Sequence, residues 1–148
     1  MTATRLTLDG LLAGARAQIV RYSPQDAHAA VENGATLIDI RSDSTRERDG
    51  VVPGSIHIPR TVLEWRVDID SPWRNPHIGD LSDPIILLCD HGCSTILAAA
   101  TLTQLGFAQA GDVIGGFAAW HKEGLPTKRP GRSKNGVDGP AGMNGPEQ

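Results

Sequence analysis

Short apolar runs alternate with stretches of helical periodicity along most of the chain. Branched apolar residues are concentrated at positions 35–40 and 84–88, where continuous runs predict strands buried on both faces of a parallel sheet. Shorter apolar runs at residues 19–22, 55–58 and 111–114 predict further strands. Since strands and helices alternate over short links, the pattern predicts an α/β fold with a mainly parallel sheet and helices on both faces.

Helical segments are expected between these runs. Apolar residues at helical spacing over residues 8–15 predict an opening helix. Residues 23–31 begin with Ser-Pro, a typical helix start, and predict a second helix. Two later helices are predicted at residues 96–105 and 117–123, because each ends before a glycine that can cap it.

The composition changes near residue 128. Residues 128–148 hold five glycines and three prolines in a polar background, which predicts a disordered tail behind a single domain over residues 4–127. The tail also holds four of the chain's 14 basic residues and no aromatic residue. A nucleic-acid or partner-binding arm is therefore a weaker interpretation than a solvated tail.

The remainder of the chain is acidic, since the net charge is −3 although the tail is basic. An acidic body without a basic helix predicts no nucleic-acid partner. The amino terminus shows no apolar segment with a cleavage pattern, and no stretch approaches the roughly 18 apolar residues of a membrane helix. A cytoplasmic location without membrane contact is therefore expected, and the sequence specifies no oligomeric state.

The only cysteines, Cys89 and Cys93, lie close together, which excludes a disulfide framework. Cys89 directly follows the apolar run 84–88 and precedes a helix-forming run at residues 96–100. The junction between a strand end and a helix start is where open α/β sheets bind ligands and anions. The helix dipole and inward-facing backbone amides would hold the thiol pKa of Cys89 below the ordinary value of about 8.5. The sequence therefore predicts a reactive cysteine, and a buried cysteine acting as a small apolar residue fits this polar edge less well.

Four motifs, taken in their order along the chain, resemble those of a rhodanese domain. They are Leu-Ile-Asp-Ile-Arg at 37–41, Val-Pro-Gly-Ser-Ile-His-Ile-Pro at 52–59, Cys-Asp-His-Gly-Cys-Ser-Thr at 89–95 and Gly-Gly-Phe-Ala-Ala-Trp at 115–120. The resemblance covers roughly residues 20–126, so the chain is similar to a single-domain rhodanese with an additional N-terminal helix and a tail. It implies a five-stranded parallel sheet with helices on both faces.

The resemblance also implies an enzyme that transfers sulfane sulfur through a persulfide on Cys89, and no cofactor is expected. The sulfur donor would be thiosulfate-like or a persulfide, and the acceptor would be cyanide or another thiophilic molecule. The residues that would bind these small molecules form an anion cradle after Cys89, namely Asp90, His91, Gly92, Cys93, Ser94 and Thr95.

The length and charge of this loop narrow the chemistry. Phosphatase relatives of the fold carry one more loop residue and end on an arginine, whereas position 95 is a threonine and the loop holds no arginine. A phosphoryl transition state would lack its main cationic partner, so phosphatase activity is not expected. Asp90 would repel thiosulfate if it pointed inward, which leaves the identity of the donor open.

Cations for an anionic donor are predicted to come from residues 60–76. This segment holds two tryptophans and three arginines and would wall the pocket, with Arg60 and Trp65 the better candidates for substrate binding. A covering helix with a solvated basic face fits the same segment equally well.

Three residues outside the loop are predicted to be structural. Arg41 follows a buried strand and is expected to pair with an acid such as Glu47 or Asp49 rather than to bind substrate. His57 lies in an apolar strand and is expected to be a hydrogen-bonded core histidine. Trp120, in the closing helix, is expected in the core.

Cys93 supports an alternative function. Its thiol could resolve an oxidised Cys89 as a disulfide, which would make the protein a non-catalytic rhodanese-like module that senses oxidants or docks a partner. An outward-facing loop residue is the simpler interpretation, because two thiols must approach closely to bond. A metal site of Cys89, His91 and Cys93 is disfavoured, since the sequence offers no second pair of ligands.

Overall fold

Five parallel strands form one sheet in the computed structural model, which describes residues 4–131. The strands are β1 (Val20–Tyr22), β2 (Thr36–Asp39), β3 (Ile56–His57), β4 (Ile85–Leu88) and β5 (Ala110–Val113). Their order across the sheet is β1-β5-β4-β2-β3, so β4 lies at the centre. Each predicted strand is confirmed to within one or two residues, and so is the parallel sheet.

Six helices and one 3-10 turn precede, connect or follow these strands within the described residues. The helices are α1 (Leu8–Gln18), α2 (Pro24–Glu32), α3 (Asp43–Asp49), α4 (Leu63–Val67), α5 (Ser94–Gln104) and α6 (Gly116–Lys122), and the turn is Arg60–Val62. Ser23 caps α2 as predicted, because its hydroxyl accepts a hydrogen bond from the Asp26 amide at 3.0 Å. The apolar pattern did not predict α3, whose residues are almost all charged or hydroxylic and offer no apolar stripe.

Helices cover both faces of the sheet, as expected for right-handed crossovers. Along β4, Ile85 and Leu87 face the core under α4 and α5, whereas Ile86 and Leu88 face the core under α2 and α6. All four side chains are buried, which explains why this strand is a continuous apolar run in the sequence. Trp120 of α6 is fully buried in the second core, which confirms its predicted position.

Lys128, the first residue after the predicted domain end, still pairs with the domain. Lys128 exchanges two backbone hydrogen bonds of 2.8 Å with Val51, which forms an antiparallel bridge at the edge of the domain. The rest of the predicted tail, from residue 132 onward, lies outside the described residues. Among the helices of residues 4–131, none combines the length and apolar character that crossing a membrane requires.

Candidate active site

Cys89 lies at the junction that the sequence predicted, directly after β4 and before α5. The loop of residues 90–93 carries the chain from the strand end to Ser94, where α5 begins. The Cys89 residue is only 7% exposed. Because β4 is the central strand, the thiol lies at the carboxyl edge of the sheet, where open α/β folds place their ligands.

Hydrogen bonds around the sulfur favour the thiolate. The Gly92 amide donates to Cys89 Sγ at 3.2 Å, and the Thr95 hydroxyl lies 3.5 Å from it. Burial alone raises the pKa of the Cys89 thiol, but hydrogen bonds from Ser94, Thr95 and Gly92 outweigh it and lower that pKa below the ordinary value. The predicted activation of this cysteine therefore has a specific cause, donors from the loop and the first turn of α5.

The backbone carbonyl groups of the loop accept hydrogen bonds from residues outside the loop. The amide of Phe117 donates to the Cys89 carbonyl oxygen at 2.7 Å, and the amide of Ala118 donates to that of Asp90 at 3.0 Å. The Arg21 guanidinium donates to the carbonyl oxygen of Gly92 at 3.3 Å. Because these hydrogen bonds direct the carbonyl oxygens away from the sulfur, the backbone amides of the loop can point toward the sulfur, as in an anion nest.

Two glycines permit this packing. Gly92 has a φ of +81°, and a Cβ there would lie 2.6 Å from the Gly115 amide nitrogen. Gly116 has a φ of +62°, and a Cβ there would clash with the Cys89 carbonyl oxygen. Gly116 is therefore required by the close approach of α6 to the cysteine loop, whereas a Cβ at Gly115 would clash with Ala119 of α6 itself.

A buried carboxylate lies behind the loop. Asp112 of β5 is fully buried and accepts a 2.9 Å hydrogen bond from the Thr95 hydroxyl. Its second partner is Arg21 of β1, whose Nε and Nη2 donate to its two oxygens at 3.0 and 3.1 Å. Neither residue was predicted as part of the site, although an aspartate inside an otherwise apolar last strand is a signal that a buried polar contact exists.

Arg41 forms a structural ion pair as predicted, but its partner is not one of the two acids named for it. Its guanidinium binds Asp39, with Nε–Oδ1 and Nη2–Oδ2 distances of 2.9 and 2.8 Å, and not Glu47 or Asp49. Asp39 also accepts from Arg46 at 3.2 Å, so two buried guanidinium groups share one buried carboxylate. Asp39 is the last residue of β2 and its side chain is buried, whereas Asp49 lies at the partly exposed end of α3. The prediction of a structural rather than a substrate-binding role is consistent with this burial.

Arg41 also reaches toward the cysteine loop. Its Nη1 lies 3.9 Å from Asp90 Oδ1, and its guanidinium carbon lies 4.1 Å from the centroid of the Phe117 ring. The Asp90 side chain is 42% exposed and faces Arg41 from the solvent side. This cation reduces the repulsion that Asp90 would otherwise exert on an anionic donor.

A cavity of about 490 Å³ opens beside the loop. It is lined by Asp90 and His91 of the loop, Arg48 and Asp49 of α3, and Phe117, Ala118 and His121 of α6. The neighbouring residues Arg48 and Asp49 form an ion pair of 2.9 Å with each other. The lining therefore mixes both signs of charge and holds two histidines, His91 and His121, beside the cysteine loop.

The other predicted site residues are spread more widely. Cys93 is exposed, in agreement with the simpler interpretation of an outward-facing residue, and both thiols are free. Arg60 donates to both oxygens of Glu64 at 3.0 and 2.9 Å, and Trp65 is 49% exposed. Within residues 4–131 no hydrogen bond or ion pair joins Arg60 or Trp65 to the loop.

His57 has the role that the sequence predicted. Its Nε2 lies 2.7 Å from the Arg41 carbonyl oxygen, so the ring is a hydrogen-bonded structural group at the end of β3. Across the described part of the chain, no three His, Cys, Asp or Glu side chains cluster in a way that could hold a metal ion.

Comparisons with known proteins agree with this geometry. The family model described as the rhodanese-like domain matches residues 23–123. The thiosulfate sulfurtransferase GlpE of Pseudomonas savastanoi pv. phaseolicola is 33% identical over 100 residues, which cover 68% of this chain and 85% of that protein.

Two solved structures are similar over most of their length. One is a protein of unknown function from Rhodopseudomonas palustris CGA009, described as a possible tyrosine phosphatase, with a TM-score of 0.76 and 31% identity over 86% of this chain and 98% of its own. The other is the polysulfide-sulfur transferase homodimer from Wolinella succinogenes, with a TM-score of 0.66 and 27% identity over 83% of this chain and 88% of its own. The sheet, the order of the motifs and the matched family model lead to one conclusion: this chain belongs to the rhodanese-like domain family.

Proposed function

We propose that the protein is a sulfurtransferase that carries sulfane sulfur as a persulfide on Cys89. The observation that carries this proposal is the set of donors around Sγ, which lowers the thiol pKa of a buried cysteine. The relatives named thiosulfate sulfurtransferase and polysulfide-sulfur transferase support the general role.

The reaction would proceed in two displacements. The Cys89 thiolate attacks the outer sulfur of the donor, a new S–S bond forms on Sγ, and the electron pair of the donor's own bond leaves with sulfite or a thiolate. An acceptor such as cyanide or a thiol then attacks the outer sulfur of the persulfide. The electron pair of the second broken bond returns to Sγ, which restores the starting thiolate.

Residues 90–95 would act as the anion cradle in both steps. The amides of Gly92 and Thr95 and the hydroxyl of Ser94 donate to the sulfur, while Asp90 and His91 border the adjacent cavity. The half-exposed Asp90 favours a donor with less negative charge than thiosulfate, such as an organic persulfide. Within the loop, Cys93 is exposed to solvent.

Arg60 and Trp65 remain predicted donor contacts. Replacing either one with alanine should raise the KM for the donor several-fold, while an excess of donor still loads Cys89 fully. An unchanged KM in both variants would remove them from the site. We infer that the protein works where its thiols stay reduced, which fits the predicted cytoplasmic location.

Phosphatase chemistry is the competing reaction that the R. palustris relative suggests. Residues 90–95 hold no arginine to grip a phosphoryl group. The nearby Arg21 already donates to Asp112 and to the Gly92 carbonyl oxygen. This distribution of cations favours transfer of sulfur over transfer of phosphate.

Intact mass spectrometry tests the proposal. The protein would be incubated with thiosulfate or with a low-molecular-weight persulfide, and the expected result is a gain of one sulfur atom. A gain that persists in Cys93→Ser and disappears in Cys89→Ser assigns the sulfur to Cys89. Treatment with cyanide should then remove it and release thiocyanate.

Three outcomes would contradict the proposal. The first is the absence of any adduct with either donor, and the second is Cys89-dependent hydrolysis of p-nitrophenyl phosphate. The third is a Cys89–Cys93 disulfide under mild peroxide in a protein that takes up no sulfur, which would support the redox-sensing module instead.

A further inference from the structure

The Thr95 hydroxyl lies between two acceptors that compete for its single proton. Its oxygen is 2.9 Å from Asp112 Oδ2 and 3.5 Å from Cys89 Sγ. A hydroxyl has one proton to donate and two lone pairs that accept. Because a carboxylate at 2.9 Å is the better acceptor, the hydroxyl donates to Asp112 while Cys89 is a neutral thiol. Donation to the sulfur therefore requires the proton to swing away from Asp112.

Arg21 binds both Asp112 and the cysteine loop. Arg21 and Asp112 are register partners on the adjacent strands β1 and β5, and their side chains form a two-bonded ion pair. The same guanidinium donates to the Gly92 carbonyl oxygen, and the Gly92 amide donates to Cys89 Sγ. Arg21 is thus connected to the sulfur by two routes, one through Asp112 and Thr95 and one through Gly92.

The charge of Arg21 also acts on the thiols directly. Its hydrogen bond to Asp112 is the main cause of a raised guanidinium pKa, and attraction to Cys93 and Cys89 adds to it. By reciprocity, the same attraction stabilises a thiolate on Cys89. Arg21 therefore supplies a cation that residues 90–95 lack, and it does so from the first strand of the sheet.

We propose that Asp112 and Arg21 are a positioning pair for Cys89. Asp112 competes with the sulfur for the Thr95 hydroxyl proton, and Arg21 fixes both the carboxylate and the loop while it supplies a compensating positive charge. The two residues thus act on the sulfur in opposite directions. Neither touches the donor or the acceptor.

This arrangement has a consequence for catalysis, which rests on the proposed sulfurtransferase function. In the loaded enzyme the negative charge lies on the outer sulfur, and the Thr95 hydroxyl stays on Asp112. When the acceptor removes that outer sulfur, the electron pair returns to Sγ and the hydroxyl can swing to it. The proton stays on the Thr95 oxygen throughout, and its hydrogen bond to Sγ strengthens as negative charge develops on Sγ.

Other titratable and charged groups lie near Cys89, and the test leaves all of them except Cys93 unchanged. They are Asp90, His91 and Cys93 of the loop, Arg41 beyond the end of β2, Arg48 and Asp49 of α3, and His121 of α6. A background variant, Cys93→Ser, removes the second thiol from every measurement. Each further variant is compared with that parent.

The test measures the pH dependence of Cys89 alkylation by iodoacetamide, which reports the thiol pKa without any sulfur donor. Asp112→Asn should shift the midpoint down by about 0.5 to 1 pH unit, because the Thr95 hydroxyl is released to the sulfur and one negative charge is lost. Below the midpoint this shift means about three- to ten-fold more thiolate. Arg21→Gln should shift the midpoint up by a similar amount, since the compensating cation is lost.

A merely structural role predicts a different pattern. If both residues only hold the loop in shape, both substitutions disorder the donors around Sγ, and both midpoints move up toward that of an ordinary thiol. Upward shifts in both variants would therefore overturn the proposal. Asp70→Asn, which removes an exposed carboxylate from the segment after α4, is the matched control and should leave the midpoint unchanged.

Thr95 variants test the route through the hydroxyl. In a Thr95→Val background, Asp112→Asn should lose most of its effect, whereas in Thr95→Ser the hydroxyl is retained and so is the shift. An equal shift in both backgrounds would contradict the route. Circular dichroism and thermal unfolding of each variant show whether it is folded. Sulfur loading is measured separately, so failure of this proposal and failure of the sulfurtransferase function give different results.

Discussion

The backbone amide of Phe117 donates a 2.7 Å hydrogen bond to the carbonyl oxygen of Cys89. This bond joins the start of α6 to the first residue of the reactive loop. It places Gly116 against the loop backbone, where a side chain has no room. The loop and the Gly-Gly turn are therefore one structural unit, although they are separated by α5 and β5 in the sequence.

Substitution of Gly92 tests this unit. Gly92→Ala places a methyl group 2.6 Å from the Gly115 amide nitrogen, in addition to the strain of a φ of +81°. We expect a loss of about 2 to 4 kcal/mol in unfolding free energy and loss of sulfur loading on Cys89. Urea unfolding and intact mass measure the two effects.

Gly54→Ala is the matched control for this prediction. Its φ of +82° is nearly the same, but a Cβ there meets no atom within 4 Å. Only the backbone strain of about 1 to 2 kcal/mol is expected, with sulfur loading intact. Equal losses of unfolding free energy in the two variants would mean that the contact with Gly115 does not contribute to stability.

The reactivity of Cys89 should depend on pH in a defined direction. Burial opposes ionisation, but the hydrogen bonds from Ser94, Thr95 and Gly92 prevail and lower the thiol pKa. The rate of alkylation should therefore rise through a midpoint below the ordinary value for an unperturbed cysteine thiol. Ser94→Ala removes one donor and should move the midpoint upward. A parent midpoint at or above the ordinary value would show that burial prevails.

The buried cluster of Asp39, Arg41 and Arg46 should matter for stability. Asp39→Asn leaves two buried guanidinium groups facing a neutral amide, and the cost of an uncompensated buried charge is about 3 to 5 kcal/mol. Chemical unfolding measures this loss. Arg48→Ala removes one member of an exposed ion pair and should unfold close to the parent. Similar midpoints for Asp39→Asn and the parent would argue against the cluster as a stabilising element.

His57 should make the protein less stable in mild acid. Burial, with a smaller effect from the charge of Arg46, lowers the pKa of its imidazole, although the carbonyl group of Arg41 acts in the opposite direction. The unfolded chain therefore binds a proton near pH 6.5 that the folded chain resists, so this contribution to stability is present above that pH and is lost as the pH falls. Thermal unfolding at about pH 7 and about pH 5 should show the decrease.

His57→Gln keeps a donor that can reach the Arg41 carbonyl oxygen but does not titrate. Its stability should change less between the two pH values than that of the parent. An identical pH dependence in both proteins would assign the effect to other groups.

The sequence alone determined the local parts of the site. The run of Ile85 to Leu88 is apolar because β4 is buried on both faces, and the polar loop and α5 follow it without interruption. Since strand, loop and helix are contiguous, their pattern was sufficient to locate Cys89 and its cradle. The same holds for the capped start of α2 and for the burial of Trp120.

Only the tertiary structure decided which charges reach the sulfur. Arg21 and Asp112 lie 91 positions apart and meet because β1 pairs with β5 in one particular register, which no local pattern specifies. Arg41 likewise binds Asp39, two residues away, because both side chains are buried together at the end of β2, whereas the partners expected from spacing lie on α3. Burial strengthens electrostatic interactions and removes alternative partners, so ion pairs depend on the packed structure more than on distance along the chain.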